Sequence, residues 1–311
     1  MKTTTATLPA TPWLDRVSPY LLLVLTTLFW GANFNVGRAV SPEVPPLGLS
    51  FWRWAVAFLI LLPFVWQPMR THIASARRHW LLILILAAFG VAGFNSFVYL
   101  GLQTTSATNG TMMQSVNPIF ILLLSALLLG EKATPLQWLG IVISLLGVLT
   151  ILSRGHPDTL LQLDFHIGDL YVLCAVVVWA SYTVLLRKLP AELKGLPILG
   201  YTVLLGTLMI LPFYLWETLQ GHPMPLSATS ISSVLFVALF PSVLSFLFWN
   251  HATSRLGAAR TGQFIHLVPV FGILIAVLIV GEQLHGFHLL GMLLVASGLV
   301  LANLQGRVKL R

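Results

Sequence analysis

Apolar runs of about 20 residues follow one another along the whole chain, separated by short segments that gather Lys, Arg, Pro and Gly. A run of that length crosses a hydrocarbon core of about 30 Å as a helix. Lipid offers the backbone no hydrogen-bonding partner, so each segment must satisfy its own peptide groups, as an α-helix does. The pattern predicts ten spans, at 19–37, 47–66, 80–102, 108–129, 135–153, 167–187, 196–216, 230–252, 258–280 and 285–304. A polar segment and Arg16 precede the first run, as in a signal peptide. That run has no small-residue cleavage site of A-x-A type and its apolar stretch is long, so it is expected to remain as the first helix.

Composition supports an all-α integral membrane protein. The 311 residues are 57% hydrophobic and only 8% charged, whereas soluble domains carry about 25% charged residues. Fourteen of the 17 Lys and Arg residues fall in one alternating set of loops and ends, among them Arg70, Arg77, Arg187, Arg255 and Arg260. The opposite set holds Arg38 and Arg154, and Arg53 lies inside the second span. Basic residues are retained on the cytoplasmic side of short loops, so both termini are expected in the cytoplasm. The dispersed cations account for the net charge of +8 and form no continuous patch for nucleic acid. The single cysteine, Cys174, excludes an intrachain disulfide framework.

The chain repeats itself. Pro118 aligns with Pro269, Gly130-Glu131 with Gly281-Glu282, Gly140 with Gly291 and Gly147 with Gly298, all at an offset of 151. Trp30 aligns with Trp179, and the "LPF" at 62–64 with that at 211–213, at an offset of 149. This predicts two five-helix units, 19–153 and 167–304, joined by a polar loop at 154–166. A cytoplasmic segment, 1–18, precedes them and a basic tail, 305–311, follows. Five is odd, so the second unit enters the membrane from the other side. Inverted repeats of this kind build many secondary transporters, with the substrate near mid-membrane at the repeat interface.

"FWGANF" at 29–34, "FWRW" at 51–54, "NPIF…GE" at 117–131 and "VPVF…GE" at 269–282 together resemble the EamA-type branch of the drug/metabolite transporter superfamily. The resemblance implies ten helices in an inverted-repeat bundle around a central cavity. It also implies a transporter of the bacterial inner membrane, commonly an exporter of amino acids or related metabolites. Relatives of this kind carry nucleotide sugars, lipid-linked sugars and drugs, so no one substrate is implied.

Candidate site residues follow from polar groups placed in apolar runs. In "QSVNPIF", Pro118 removes a helix hydrogen bond and frees the carbonyl of Gln114. At 100° per residue, Thr111, Gln114, Ser115 and Pro118 share a face. Gly262, His266 and Pro269 share the equivalent face, with His266 at the position of Ser115. Both prolines are expected to kink helices whose polar sides line a central path. Trp30 and Asn33, Asn95 and Tyr99, Trp179 and Tyr182, and Ser245 and Trp249 supply further faces of neutral polar groups and rings. Such a lining suits a small, partly apolar or zwitterionic molecule, with rings for an ammonium. The alternative for each is helix packing, since polar side chains join membrane helices by hydrogen bonds of about 0.6–2 kcal/mol.

Arg53 is expected to snorkel to the outer surface, or else to anchor a substrate carboxylate or a freed carbonyl. Glu131 and Glu282 end the fourth and ninth helices after Gly130 and Gly281, as gate residues or, more simply, as caps and loop partners. The small-residue stripes, Gly140 with Gly147 and Gly291 with Gly298, suit close helix packing.

No Asp or Glu falls mid-span, so a carboxylate proton relay is not expected, and there is no P-loop for ATP. His285 and His288 share a helix face but lack a third metal ligand, and no nucleophile–base pair suggests an enzyme. The expected partners are a small-molecule substrate and the lipid bilayer, without cofactor; a homodimer is compatible with this. The alternatives are a transporter of a larger sugar- or lipid-linked cargo, which would need several cavity cations, and a partner-dependent membrane subunit.

Overall fold

Proline opens several helices, where its missing N–H costs nothing and its fixed φ suits the first turn. Pro19, Pro46, Pro135 and Pro197 all hold such positions. The computed structural model describes residues 14–105, 110, 113–131, 133–153, 156, 158, 166–275 and 285–303. Its ten main helices are α1 Pro19–Val40, α2 Pro46–Thr71, α3 Trp80–Thr104, α4 Asn117–Leu129, α5 Pro135–Leu152, α6 Ile167–Leu185, α7 Leu196–Leu219, α8 Ala228–Leu256, α9 Ala258–Ile275 and α10 Gly286–Asn303. The ten-helix, two-repeat membrane fold expected from the hydropathy pattern is therefore present.

Local chemistry sets several ends. Thr134 and Gln137 cap α5 reciprocally, each side chain taking the other's backbone N–H. Gly130 closes α4 at φ +68°, the left-handed turn that a glycine adopts without strain. Glu217, near the end of α7, accepts the backbone N–H groups of Leu47 and Gly48 at 3.2 and 2.7 Å, placing a carboxylate on the first turn of α2.

The two copies interlock. α1 packs against α8 and α9, while its counterpart α6 packs against α3 and α4. The equivalent helices α5 and α10 run antiparallel and very close. A Cβ added to Gly140 would lie 2.6 Å from the carbonyl oxygen of Gly298, and one on Gly147 would lie 2.7 Å from that of Gly291. Between these crossings, Ser144 donates to the carbonyl of Val295, its own repeat equivalent, at 3.3 Å. A contact between equivalent residues marks the pseudo-two-fold axis, and the antiparallel pairing is the inversion made visible.

The outside is apolar. Leu59, Phe64, Leu127, Phe213 and Leu219 are all more than half exposed, as lipid-facing side chains are. Trp66, Trp80 and Trp216 stand exposed toward helix ends, where indoles favour the membrane–water interface.

Two features depart from the simple helical pattern. α3 and α8 each contain a π-helical stretch, Ala87–Gly93 and Leu239–Leu244. Pro118 does not kink the middle of a helix: Ser115 and Val116 form a turn, and α4 starts afresh at Asn117 with Pro118 in its first turn. Pro269 lies just after a 3-10 turn, Phe264–His266, that interrupts α9.

Candidate functional site

Pro241 sits inside α8, where it has no N–H to donate and its ring crowds the carbonyl of Val237. The helix widens into the π turn, and the Ser242 hydroxyl takes over that carbonyl at 2.6 Å. The widening leaves the Pro241 carbonyl free for other helices. Trp30 Nε1 donates to it at 3.2 Å and Arg53 Nη2 at 3.1 Å. π turns of this type recur at functional sites.

Arg53 does not snorkel; its residue is 1% exposed. Besides Pro241, the guanidinium donates to Ser242 Oγ at 2.5 Å, Asn33 Oδ1 at 3.1 Å and the Tyr99 hydroxyl at 2.7 Å. Tyr99 in turn donates to Asn33 at 2.9 Å. Helices α1, α2, α3 and α8 thus meet at one cation. The second copy answers only half of this arrangement. Tyr182 on α6 donates to Asn250 on α8 at 2.8 Å, the Asn–Tyr pair with its helices exchanged. At the position equivalent to Arg53 stands Thr202, whose hydroxyl bonds only within its own helix.

Beside Arg53 lies a closed pocket lined by Trp30, Asn33, Phe34, Arg53, Phe94, Asn95, Gln114, Trp179, Ile265 and Val268. The space open to a water centre is about 10 Å³, room for about one molecule. Trp30 and Trp179, repeat equivalents, meet edge to face with centroids 4.9 Å apart. Asn95 is buried with both amide atoms unpartnered, and Gln114 leaves its Nε2 unpartnered while its Oε1 accepts from Asn117 at 3.3 Å.

Of the residues singled out from the sequence, Trp30, Asn33, Asn95, Gln114, Trp179 and Arg53 line this pocket, and the others do not. Tyr99 is turned to Arg53 and Tyr182 to Asn250. Trp249 donates to Thr183 at 3.2 Å and packs on Trp30. The Ser245 hydroxyl donates to the carbonyl of Phe240 within the π turn, a carbonyl that also accepts the Ser245 backbone N–H. His266 Nε2 meets the carbonyl of Ser115, its repeat equivalent, at 2.9 Å, so these two also mark the pseudo-axis. A carbonyl only accepts, so Nε2 carries the proton, and Nδ1 is left without a partner. Phe34 shares the predicted face of α1. Phe94, Ile265 and Val268 carried no signal of their own, being apolar residues among many.

Glu131 lies away from the pocket. It pairs with Arg187 at 3.7 Å on the edge of a wider cleft of about 420 Å³ that also includes Arg255 and Arg260. Nearby Lys194 is held below its ordinary pKa, first by burial and then by the Arg187 charge. Glu282, Gly281 and Thr111 lie outside the described residues.

Residues 17–153 and 166–304 each match the EamA-like transporter family. The chain belongs to that family. It is a membrane transporter built from two EamA units. An uncharacterized transporter, YyaM, of Bacillus subtilis is 29% identical over 93% of this chain and 95% of its own length. A probable terminal-alkyne amino-acid exporter of Streptantibioticus cattleyicolor is 27% identical over 90% and 92%. A solved crystal structure superimposes with a TM-score of 0.71 over 93% of this chain and 97% of its own, at 19% identity, which speaks for the fold.

Proposed function

We propose that this chain is a secondary transporter that exports amino acids or related small metabolites across a bacterial inner membrane by alternating access, with both termini in the cytoplasm. One observation carries the reading. At the interface of two inverted repeats, equivalent residues touch across the pseudo-axis beside a buried pocket of aromatic rings and unpartnered amides. Two copies that exchange conformations open such a pocket to one side and then the other. The named function of the Streptantibioticus relative supports amino acids as the cargo class. A single cation at the pocket disfavours a sugar-phosphate cargo.

The cleft edged by Glu131, Arg187 and Arg255 lies at the end that gathers the basic loops, the expected cytoplasmic side. Along both α4 and α9, the contact of Ile121 with Gly262 comes between this cleft and the pocket. We take it as the inner constriction through which cargo passes. Overexpression is expected to lower intracellular levels of particular amino acids and to confer resistance to their toxic analogues. A panel of aromatic, sulfur-containing and small amino acids that shows no efflux from cells containing the folded protein would refute the reading.

A further inference from the structure

We propose that Arg53, with the amides of Asn95 and Gln114, forms a carboxylate subsite, so that the cargo is a small monocarboxylate whose charge completes that of the buried guanidinium. This rests on the reading of the pocket as the transport site. The argument begins with charge. Arg53 makes four hydrogen bonds, all to neutral acceptors. No acidic side chain among the described residues pairs with it. Asp15 pairs with Arg255 and Glu131 with Arg187. Asp169 holds Thr105 and the backbone of His166, Glu217 caps α2, and Glu192 takes Ser75. Glu43 and Asp158 are exposed. A buried cation without a counter-charge is costly, and a site that retains one marks function more often than stability.

The donors point the same way. A guanidinium has five N–H groups; the four bonds leave one on Nη2, and Arg53 lines the pocket. Asn95 and Gln114 bring unpartnered amide nitrogens to the same space, each residue at most 3% exposed. Arginine matches the planar, two-oxygen geometry of a carboxylate. One cation balances one negative charge, whereas a phosphate dianion would carry a surplus into the bundle. The remaining walls are Trp30, Trp179, Phe34 and Phe94; the space here admits about one water, so these rings meet an apolar side group or an ammonium only once alternating access widens it. The competing account makes Arg53 a clamp that merely joins four helices.

The test uses the purified full chain, with thermal unfolding as the readout and matched probes: the proteinogenic amino acids, their carboxamides, and benzoate and phenylacetate, which lack an ammonium. At least one acid is expected to raise the Tm while its amide does not. R53Q is expected to weaken that acid about tenfold or more, with R53K between the two. Gln114→Ala tests the amide contact should R53Q fail to fold, and the acid–amide comparison needs no variant. Amides that stabilise as well as acids, or an R53Q protein that responds unchanged, would overturn the subsite and leave the amino-acid reading standing. Stabilisation by benzoate or phenylacetate but by no amino acid would do the reverse. No shift from any probe would overturn both.

Discussion

Asn95 and Ser245 are both buried polar residues on repeat-related helices, yet their surroundings set different roles. The Ser245 hydroxyl is held inside its own π turn by the Phe240 carbonyl, which the Ser245 backbone N–H also pairs, so Ser245→Ala should cost under about 1.5 kcal/mol and leave transport near normal. Asn95 has no partner for either amide atom and borders the pocket. Asn95→Ala should therefore leave the folded protein at wild-type abundance and reduce efflux about tenfold, the worth of roughly one hydrogen bond. Efflux normalised to membrane abundance separates the two variants. Gln114→Ala and His266→Ala should also impair transport at unchanged abundance. The first removes an unpartnered donor and the second the contact between equivalent positions on the pseudo-axis. The type of each of these residues was visible in the sequence. Whether a hydroxyl was already spent on its own helix was not, because the π turn that decides it depends on how Pro241 packs.

At the scale of elements, the α5–α10 pair is the tightest statement of the repeat. Gly147 and Gly291 pack backbone against backbone, with a Cβ at either meeting the other's carbonyl oxygen at 2.7 Å. Gly147→Leu should destabilise by at least about 1–3 kcal/mol, the usual cost of overpacking, and lower the recovery of monodisperse protein after mild heating. Gly130→Ala tests a different cause. Nothing lies within 4 Å of a Cβ there, but φ is +68°, so the expected loss is the strain alone, about 1–2 kcal/mol. The glycine stripes were legible as packing surfaces from spacing. The carboxylate of Glu217 on the first turn of α2 was not, since it joins residues 169 positions apart and no local pattern announces it.

The whole molecule works as two interlocked copies, and its predictions concern sidedness and passage. A tag in the 154–166 loop should report the face opposite to tags at both termini, as accessibility labelling in intact cells would show. Gly262→Val should press into Ile121, whose Cδ1 would lie 2.7 Å from an added Cβ. It should slow transport while ligand-induced stabilisation persists, the signature of an obstructed passage beside an intact pocket. Hydropathy dictated the helices, and the 149–151 offset dictated their duplication, because both depend only on the order of residues along the chain. An odd number of spans per copy then required inversion. Packing alone decided that Arg53 turns inward to a carbonyl freed on α8, that Asn–Tyr pairs exchange helices between the copies, and that only some of the polar faces border the pocket. Those outcomes depend on distances between segments far apart in the chain, and a helix presents the same polar face whether the neighbour it meets is a ligand, a lipid or another helix.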